Sequence, residues 1–425
     1  MKFGFWEFVL LFFIILILFG PTVIPWVQGW LRRANRTKRQ IQRQKAQVQR
    51  QMAAERDAIC HRFQVVTSFL LIAGFIGYSG YLLLHTPAAA PQSYTPSTEV
   101  MSLTTAGNTQ TTALDIAPYE KPICVASQDD WLYIAVQGNK IIRIREDGTG
   151  LAEVFSTDGP ITSMMFGPDD CLYLAGSNAI YRASFDGWAV DMKPILTSID
   201  GEPLVSPCAI AVMDDGMVYF TQYALQPAEL KGLPERFHTE LMAHTGTGTA
   251  YVLNPQTGEV ERLTGGLSGA GGIAVSPDGK TVYLSETNAR RVWAYPADAR
   301  TESVQDAGQI LLEGLDGYAA GLSLSQSGDV WAAVCGKPIS WVDQTAEKPL
   351  LRKMVLNLPT LTQHWLLTPK ADTGWAFSVS EDGSLRRAVA AQLPKMDGRI
   401  TGVCETENTI WLANADADRL YGITR

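Results

Sequence analysis

The sequence predicts an all-β protein, a six-bladed β-propeller, preceded by a two-helix transmembrane hairpin. Three observations support this: a strand–turn–strand unit recurs from Pro122 onward, two long apolar runs carry no charge, and a strongly basic tract separates those runs. The chain has 425 residues, of which 46% are hydrophobic and 18% charged. It is therefore long enough to bury a large core, and it is neither a coiled-coil rod nor a wholly disordered chain.

The two uncharged runs are long enough to cross a bilayer. They extend from Phe8 to Val27 and from Phe63 to Leu84, and about 20 apolar residues in a helix span the hydrocarbon core. The Gly20-Pro21 pair predicts a bend within the first run. We expect a first transmembrane helix and hinge over residues 1–30 and a second transmembrane helix over residues 63–85.

A basic helix over residues 31–62 is expected to fix the orientation of this hairpin. Arg32 to Arg62 contains ten Lys or Arg residues against two acidic ones. Because basic loops stay in the cytoplasm, both ends of the hairpin and the body that follows are expected outside it. Residues 86–119 are rich in Thr, Ala, Pro and Ser and predict a flexible linker to a propeller over residues 120–425.

The charge distribution narrows the choice of partners. Residues 1–85 hold 11 basic and 3 acidic residues, a balance of +8, and the remaining residues hold 24 and 40, a balance of −16. An acidic body argues against nucleic acid as its partner. We expect membrane lipid as one partner and a protein or membrane complex as another.

Six repeat units predict the blades of the propeller. Each unit pairs an apolar strand with a polar turn and a second strand that carries an aromatic residue. Repeats of about 40–50 residues that each form a few short strands are typical of β-propellers. The units are Ile123–Ala135, Ile161–Ala175, Cys208–Thr221, Gly272–Ser285, Ala320–Ala333 and Ile400–Ala413, and their aromatics are Tyr133, Tyr173, Tyr219, Tyr283, Trp331 and Trp411. Seven blades are the alternative, because Trp365 to Val379 also contains a strand pattern.

Two stretches resemble known families. The run from Gly248 to Tyr295, with Glu286-Thr287-Asn288 as its most specific part, resembles the strictosidine synthase-like group. That group shares a six-bladed propeller with the senescence-marker/gluconolactonase lactonases and the paraoxonases. Separately, Leu18 to Pro25 followed by a basic helix resembles the amino-terminal hinge of twin-arginine translocase A-type subunits.

The resemblance implies a metal position that this chain does not fill. In the lactonases a divalent cation, usually calcium, is held in the central tunnel by carboxylate and amide side chains at the starts of the innermost strands. The matching positions here are Ile123, Cys208, Gly271 and Ala320, and none has a side-chain oxygen. Glu120 reaches such a position only if the register shifts. We therefore expect no cofactor, with calcium disfavoured.

The catalytic position of the synthase is also changed. In strictosidine synthase a glutamate near the start of the last blade acts as the acid/base, and the matching residue here is Thr401. A threonine does not transfer protons near neutral pH as a tuned glutamate does. Glu405 and Glu407 follow toward the turn and are expected to be solvated. No catalytic residue is therefore predicted.

The remaining motifs carry little chemistry. His238, Glu240 and His244 fall in an insertion that is expected to be a surface loop. Cys124 and Cys404 belong to the first and last blades, which are neighbours in a closed ring, and a disulfide between them is one alternative to free thiols.

Two functions follow from these observations. The first is a membrane-anchored extracytoplasmic binding or scaffolding propeller. The alternative is a lactone or ester hydrolase of the gluconolactonase/strictosidine synthase-like type with an atypical site. The loss of the family's metal and acid/base residues favours the binding module.

Overall fold

The computed structural model describes residues 25, 28, 46–87, 89–97, 111–176, 178–187, 189–225, 233–370, 373–392 and 399–425. Helix α1, Ala46–Leu84, contains the one candidate membrane span among these residues, Phe63–Leu84, with a mean hydropathy of 1.7. The first apolar run, Phe8 to Val27, lies outside the described residues except for position 25, so the two-helix hairpin stays a prediction. The chain divides into two units, residues 1–85 and 86–425.

The second unit is a six-bladed β-propeller, as predicted, and each blade is a four-stranded antiparallel sheet. Blade 1 consists of β2 (Cys124–Gln128), β3 (Trp131–Val136), β4 (Lys140–Arg145) and β5 (Ala152–Ser156). Blade 2 consists of β6 (Ile161–Phe166), β7 (Leu172–Gly176), β8 (Ala179–Asp186) and β9 (Ala189–Leu196). Blade 3 consists of β12 (Pro207–Val212), β13 (Val218–Gln222), β14 (Gly248–Asn254) and β15 (Glu259–Leu267). A small hairpin, β10 (Ser198–Ile199) and β11 (Glu202–Pro203), lies between blades 2 and 3.

Blades 4 to 6 complete the ring. Blade 4 consists of β16 (Ala270–Val275), β17 (Thr281–Glu286), β18 (Arg291–Pro296) and β19 (Gln309–Leu312). Blade 5 consists of β20 (Tyr318–Leu324), β21 (Val330–Cys335), β22 (Thr373–Val379) and β23 (Leu385–Gln392). Blade 6 consists of β24 (Ile400–Glu405), β25 (Thr409–Asn414), β26 (Arg419–Thr424) and β1 (Thr111–Asp115). The innermost strands β2, β6, β12, β16, β20 and β24 contact one another in turn, and β24 contacts β2. The seven-blade alternative is wrong, because β22 and β23 complete blade 5.

The repeated aromatic residue of each unit fills the gap between neighbouring blades. Tyr283 of β17 packs against Val330 and Ala332 of the next blade. Trp411 of β25 packs in the same way against Leu132 of blade 1, across the point where the ring closes. A large flat side chain at this position buries apolar area on both sheets, which explains why an aromatic recurs in every unit.

Strand β1 closes the ring from the amino-terminal side. It pairs with β26 over its whole length, from Thr111 opposite Ile423 to Asp115 opposite Arg419. The predicted boundary between linker and propeller at residue 120 is therefore wrong, because β1 lies within the predicted linker. A strand without an aromatic or a hairpin turn gives little local signal when its partner lies some 300 residues away.

Four helices lie on the propeller unit. They are α2 (Leu233–Ala243), α3 (Ser340–Asp343), α4 (Pro349–Leu356) and α5 (Thr360–Leu367). Leu241 and Met242 of α2 pack with Leu367 of α5 and with Tyr318 of β20. Residues 89–97 also lie against this helical layer, since the Gln92 backbone N–H donates to the carbonyl of Ala243 at 2.8 Å. The flexible linker predicted for this stretch is wrong at these residues.

Replacing Ile116 tests the closure of the ring. This side chain follows β1 directly, is completely buried and packs in the cluster of Trp411 and Leu420. We expect Ile116→Ala to lower the free energy of unfolding by about 2–4 kcal/mol, because it leaves a cavity where the first and last blades meet. The matched control is Ile310→Ala on the outer strand β19, where the side chain is 44% exposed. Equal losses in thermal or denaturant unfolding would contradict this role of Ile116.

Candidate functional site

The centre of the propeller contains a cavity of about 980 Å³. Each innermost strand contributes an apolar side chain to its wall: Val125, Met164, Ile210, Ile273, Leu322 and Val403. Cavities of this size and character are typical of sites for small molecules. The blades pack face to face, so successive side chains of an innermost strand pack toward opposite neighbours, as Ile273 does toward blade 3 and Ala274 toward blade 5, while the edge of the strand lines the tunnel.

All five positions singled out by the resemblance border this cavity: Ile123, Cys208, Gly271, Ala320 and Thr401. Glu120 does not line it. Its side chain is exposed, and its backbone carbonyl accepts from the Gln137 N–H at 3.0 Å. The register of β2 thus leaves Glu120 outside the tunnel.

Several of these positions join neighbouring blades by hydrogen bonds. The Thr401 hydroxyl donates to the carbonyl of Ile123 at 2.6 Å, which connects blade 6 to blade 1. The Cys208 thiol donates to the carbonyl of Gly271 at 3.7 Å, which connects blade 3 to blade 4.

Similar bonds occur at other blade boundaries. The Ser285 hydroxyl donates to the Ala320 carbonyl at 2.9 Å, and the Thr162 hydroxyl donates to the Pro207 carbonyl at 3.2 Å. Each of these bonds satisfies a backbone carbonyl at the start of an innermost strand from within the protein. Several polar groups of the cavity wall are therefore already hydrogen-bonded to neighbouring blades.

Gly271 has a steric reason to lack a side chain. A Cβ atom at this position would lie 2.2 Å from the hydroxyl oxygen of Thr287, which is an impossible contact. Thr287 is buried, lines the cavity, and its hydroxyl has no hydrogen-bond partner among the described residues. The space that a ligand side chain would need at residue 271 is thus taken by the Thr287 hydroxyl group.

The wall does not fit a calcium ion at the family's position. Two of the carboxylates that border the cavity are engaged elsewhere, because Asp416 is paired with Arg399 and Glu405 accepts from the Arg425 Nε at 2.9 Å. The third, Asp214, belongs to an exposed turn. Within the described residues no three His, Cys, Asp or Glu side chains are grouped so as to hold a metal ion.

Glu405 differs from its expectation. Its side chain is buried rather than solvated, and besides Arg425 it accepts a hydrogen bond from the indole N–H of Trp331. Glu407 is exposed, as expected. The carboxylate of Glu405 therefore connects blades 5 and 6 instead of facing solvent.

Helix α2 covers the end of the cavity at which the innermost strands start. Leu233 and Phe237 pack against Cys208 and Tyr223 of blade 3. The surface loop predicted for this insertion is wrong here, because the insertion forms a helix with buried His238 and Glu240 side chains. The spacing of Leu233, Phe237 and Leu241 by four residues is the helical signal that could have revealed it.

The same end of the cavity carries a group of polar side chains. The rings of His238 and His364 meet at 5.4 Å between centroids, and the Thr368 hydroxyl lies 3.4 Å from His238 Nε2. Arg399 and Asp416 border the cavity beside them. Since these groups come from α2, α5 and the start of β24, the fold unites them although they are far apart in sequence.

Burial controls the ionisation of these groups. It lowers the pKa of His238 to about 4, with the charges of His364 and Arg399 acting in the same direction. His238 is therefore neutral at pH 7 and is able to donate one hydrogen bond and accept another. Burial also raises the pKa of Cys208 to about 12 and that of Cys335 to about 11, so both thiols stay protonated.

The five cysteines of the propeller are all free. Cys124 and Cys404 do come from neighbouring blades, but the Cys404 thiol instead donates to the Ser127 hydroxyl at 3.3 Å. Burial raises the pKa of Cys124 to about 12, so this thiol is protonated at neutral pH. The disulfide alternative is therefore wrong for this structure.

Comparison with known proteins places the chain in a family. Residues 120–356 match the family model described as the SMP-30/Gluconolactonase/LRE-like region, which is more than half of the chain. The chain belongs to this family. The resemblance seen in the run from Gly248 to Tyr295 is thereby confirmed, and so is the six-bladed fold that it implies.

The curated relatives match this family member over part of their length. Gluconolactonase of Zymomonas mobilis is 26% identical over 181 residues, which are 41% of this chain and 49% of that protein. Protein STRICTOSIDINE SYNTHASE-LIKE 12 of Arabidopsis thaliana is 34% identical over 103 residues, which are 23% of this chain and 29% of that protein. Adipocyte plasma membrane-associated protein of Danio rerio is 24% identical over 258 residues, which are 56% of this chain and 60% of that protein. The chain thus spans from under a third to three fifths of these relatives.

Solved structures share the fold. A gluconolactonase from Xanthomonas campestris superposes with a TM-score of 0.51 at 16% identity, over 80% of this chain and 99% of that one. Regucalcin, a calcium-binding protein from Agrobacterium tumefaciens, superposes with a TM-score of 0.51 at 13% identity, over 76% of this chain and 95% of that one. At this level of identity the similarity concerns the fold and not the activity.

Replacing Thr401 distinguishes a bond between blades from a catalytic role. We expect Thr401→Val to lower the free energy of unfolding by about 1–3 kcal/mol, because the Ile123 carbonyl loses this hydroxyl donor. The conservative variant Thr401→Ser keeps the hydroxyl and should recover most of that loss in thermal unfolding. If both variants unfold as the wild type does, the Thr401 bond does not hold the ring.

Proposed function

We propose that this family member is a membrane-anchored binding module whose propeller lies outside the cytoplasm. The observation that carries the proposal is the central cavity, whose wall is apolar and whose polar groups largely bond one another across blade boundaries. Such a wall favours the burial of an apolar molecule and offers no carboxylate pair or thiolate for covalent chemistry. A scaffolding role toward a protein partner uses the outer surface and is compatible with the same anchor.

The chemistry of the cavity suggests the kind of ligand. Apolar side chains surround most of its length, while His238, Thr368 and Arg399 gather at the end under α2. The Thr287 hydroxyl adds a buried group without a described partner. We therefore expect a ligand with an apolar body and one polar end that accepts or donates hydrogen bonds, since each unpaired buried polar group gains from such a partner.

The anchor is supported by the sequence and by one relative. The Phe63–Leu84 segment of α1 is long and apolar enough to cross a bilayer. One curated relative carries the name adipocyte plasma membrane-associated protein, which makes attachment to a membrane plausible in this group. The ten basic residues between Arg32 and Arg62 support the orientation with the propeller outside.

A lactone or ester hydrolase is the second candidate. The match to gluconolactonase supports it, and so does the pair of imidazole rings at the cavity end. His238 is able to accept a hydrogen bond from a bound water or hydroxyl, although its pKa of about 4 makes it a weak general base near neutral pH. Turnover measurements therefore accompany the binding experiment below.

An acidic side chain in the tunnel should weaken the binding of an apolar molecule. Met165 and Leu385 are both 38% exposed, but Met165 lines the cavity and Leu385 belongs to the outer strand β23. We expect Met165→Asp to weaken the binding of the fluorescent apolar probe N-phenyl-1-naphthylamine by about tenfold or more, because the probe would remove the carboxylate from water. Leu385→Asp is the matched control and should bind as the wild type does.

Two results would contradict the binding module or favour the hydrolase. Equal affinities of both variants would contradict the tunnel as the binding site. Hydrolysis of gluconolactone or phenyl acetate by the wild type, lost in His238→Gln, would support the hydrolase instead.

The orientation is tested with a cysteine introduced at Gln42. We expect that Gln42→Cys is not labelled by a membrane-impermeant maleimide in intact cells and is labelled after the cells are permeabilised, because the basic tract faces the cytoplasm. A cysteine at the exposed Asp158 position of the propeller is the control and should be labelled in intact cells. Labelling of Gln42→Cys in intact cells would place the propeller on the other side.

A further inference from the structure

Helices α4 and α5 expose an apolar surface. Leu350 is 65% exposed, Trp365 62% and Leu361 52%. Together with Leu351, at 48%, they are the four most exposed large apolar side chains of the described propeller unit. Single exposed apolar residues are ordinary, but four within 16 residues of chain indicate a surface that is covered in use.

This surface belongs to firmly packed helices. Val355, Leu356 and Leu366 pack inward against the cluster formed by α2 and Tyr318. The Gln363 side chain connects the two helices by donating to the carbonyls of Leu356 and Leu358, both at 2.8 Å. The exposed side chains are therefore the outer face of an ordered element, which we call the cap and define as residues 337–370.

The cap differs from the rest of the propeller unit in charge. It contains Lys337, Lys348, Arg352, Lys353 and Lys370 against Asp343 and Glu347, a balance of +3. Subtracting these from the 24 basic and 40 acidic residues of 86–425 leaves 19 and 38, a balance of −19. Asp343 is moreover paired with Arg290 at 3.2 Å. Arg352 is buried, and without it the balance of the cap is +2, four basic against two acidic residues. An apolar and basic surface on an acidic body is complementary to an anionic and apolar partner.

Arg352 of α4 joins the cap to residues that follow the apolar helix closely in sequence. Arg352 is completely buried, and its guanidinium donates to the backbone carbonyls of Gln92 and, at 2.8 Å, of Met242. The Tyr94 ring stacks on His244 at 3.7 Å between centroids. Seven residues separate Leu84 from Gln92 in the sequence, and a chain segment of this length spans at most about 28 Å when fully extended.

From these observations we propose that the cap rests on an anionic phospholipid bilayer. Leu350, Leu361 and Trp365 enter the boundary between headgroups and acyl chains, and Lys348 and Lys353 lie among the phosphates. Tryptophan and leucine beside lysine are the residues that favour this interface. The proposal rests on the membrane anchor proposed above and adds a second contact with the same membrane.

The experiment uses the full chain in nanodiscs that hold one copy each. The discs contain phosphatidylcholine with or without about one third phosphatidylglycerol, plus a doxyl-labelled lipid that quenches nearby tryptophans. Trp365→Phe isolates the signal of Trp365 by difference from the other tryptophans. We expect Trp365 to be quenched at least twofold in the anionic discs and less in the neutral discs.

Two charge variants and one control sharpen the result. Lys348→Glu with Lys353→Glu should abolish most of the quenching of Trp365, and Leu350→Glu with Leu361→Glu should do the same. The control Ile310→Glu with Leu385→Glu changes two exposed apolar residues on outer strands and should leave the quenching unchanged. Thermal unfolding identifies any variant that fails to fold, and the wild-type measurement is independent of all of them.

The outcomes separate this proposal from the anchor. A chain that does not co-elute with the discs contradicts the anchor itself. A chain that integrates, with Trp365 quenched no more than the background tryptophans, overturns the cap contact. If Trp365 is protected only in discs that hold two copies, the surface binds a second copy of the chain. This result would also overturn the contact between the cap and the bilayer.

Discussion

The propeller depends on one constraint, which is that the last blade must be complete and must pack against the first. Strand β1 meets this constraint by pairing with β26 as the outermost strand of blade 6, so that this blade is built from both ends of the propeller sequence. The buried Ile116 side chain and the Thr401 hydroxyl then hold blade 6 against blade 1. An open ring would expose the apolar faces of blades 1 and 6, which pack against each other through Trp411 and Leu132, and such a surface invites association with other chains.

The same bonds that hold the ring shape the chemistry of its tunnel. Thr401 and Cys208 donate to carbonyls of neighbouring innermost strands, and the carbonyl of Ala320 receives the Ser285 hydroxyl. These polar groups therefore bond toward the next blade, and apolar residues form most of the cavity wall. Closure of the ring and the apolar character of the tunnel thus depend on the same strand starts.

Much of this could be predicted from the sequence because the blade is a local unit. Each aromatic, such as Tyr283 or Trp411, follows its turn at a fixed distance, and the residues at the strand starts keep their place in that pattern. Strand β1 could not be found, since its pairing is entirely non-local. Helix α2 is hard to predict although Leu233, Phe237 and Leu241 have a helical spacing, because polar residues such as His238 and Glu240 are interspersed with them. The polar end of the cavity depends on the position of that helix, so the sequence does not predict it either.

The contacts of residues 89–97 have a mechanical consequence. With the proposed anchor in a membrane, any tension on residues before 86 would be transmitted along the chain, and it would reach Gln92 and Tyr94 before β1. Pulling directly on an edge strand would peel it from β26 one hydrogen bond at a time, which is the weakest way to load a sheet. The buried Arg352, bonded to the Gln92 carbonyl, would instead transfer the force to the helical layer. The contacts of residues 89–97 would thus keep such a force away from the strand that completes blade 6.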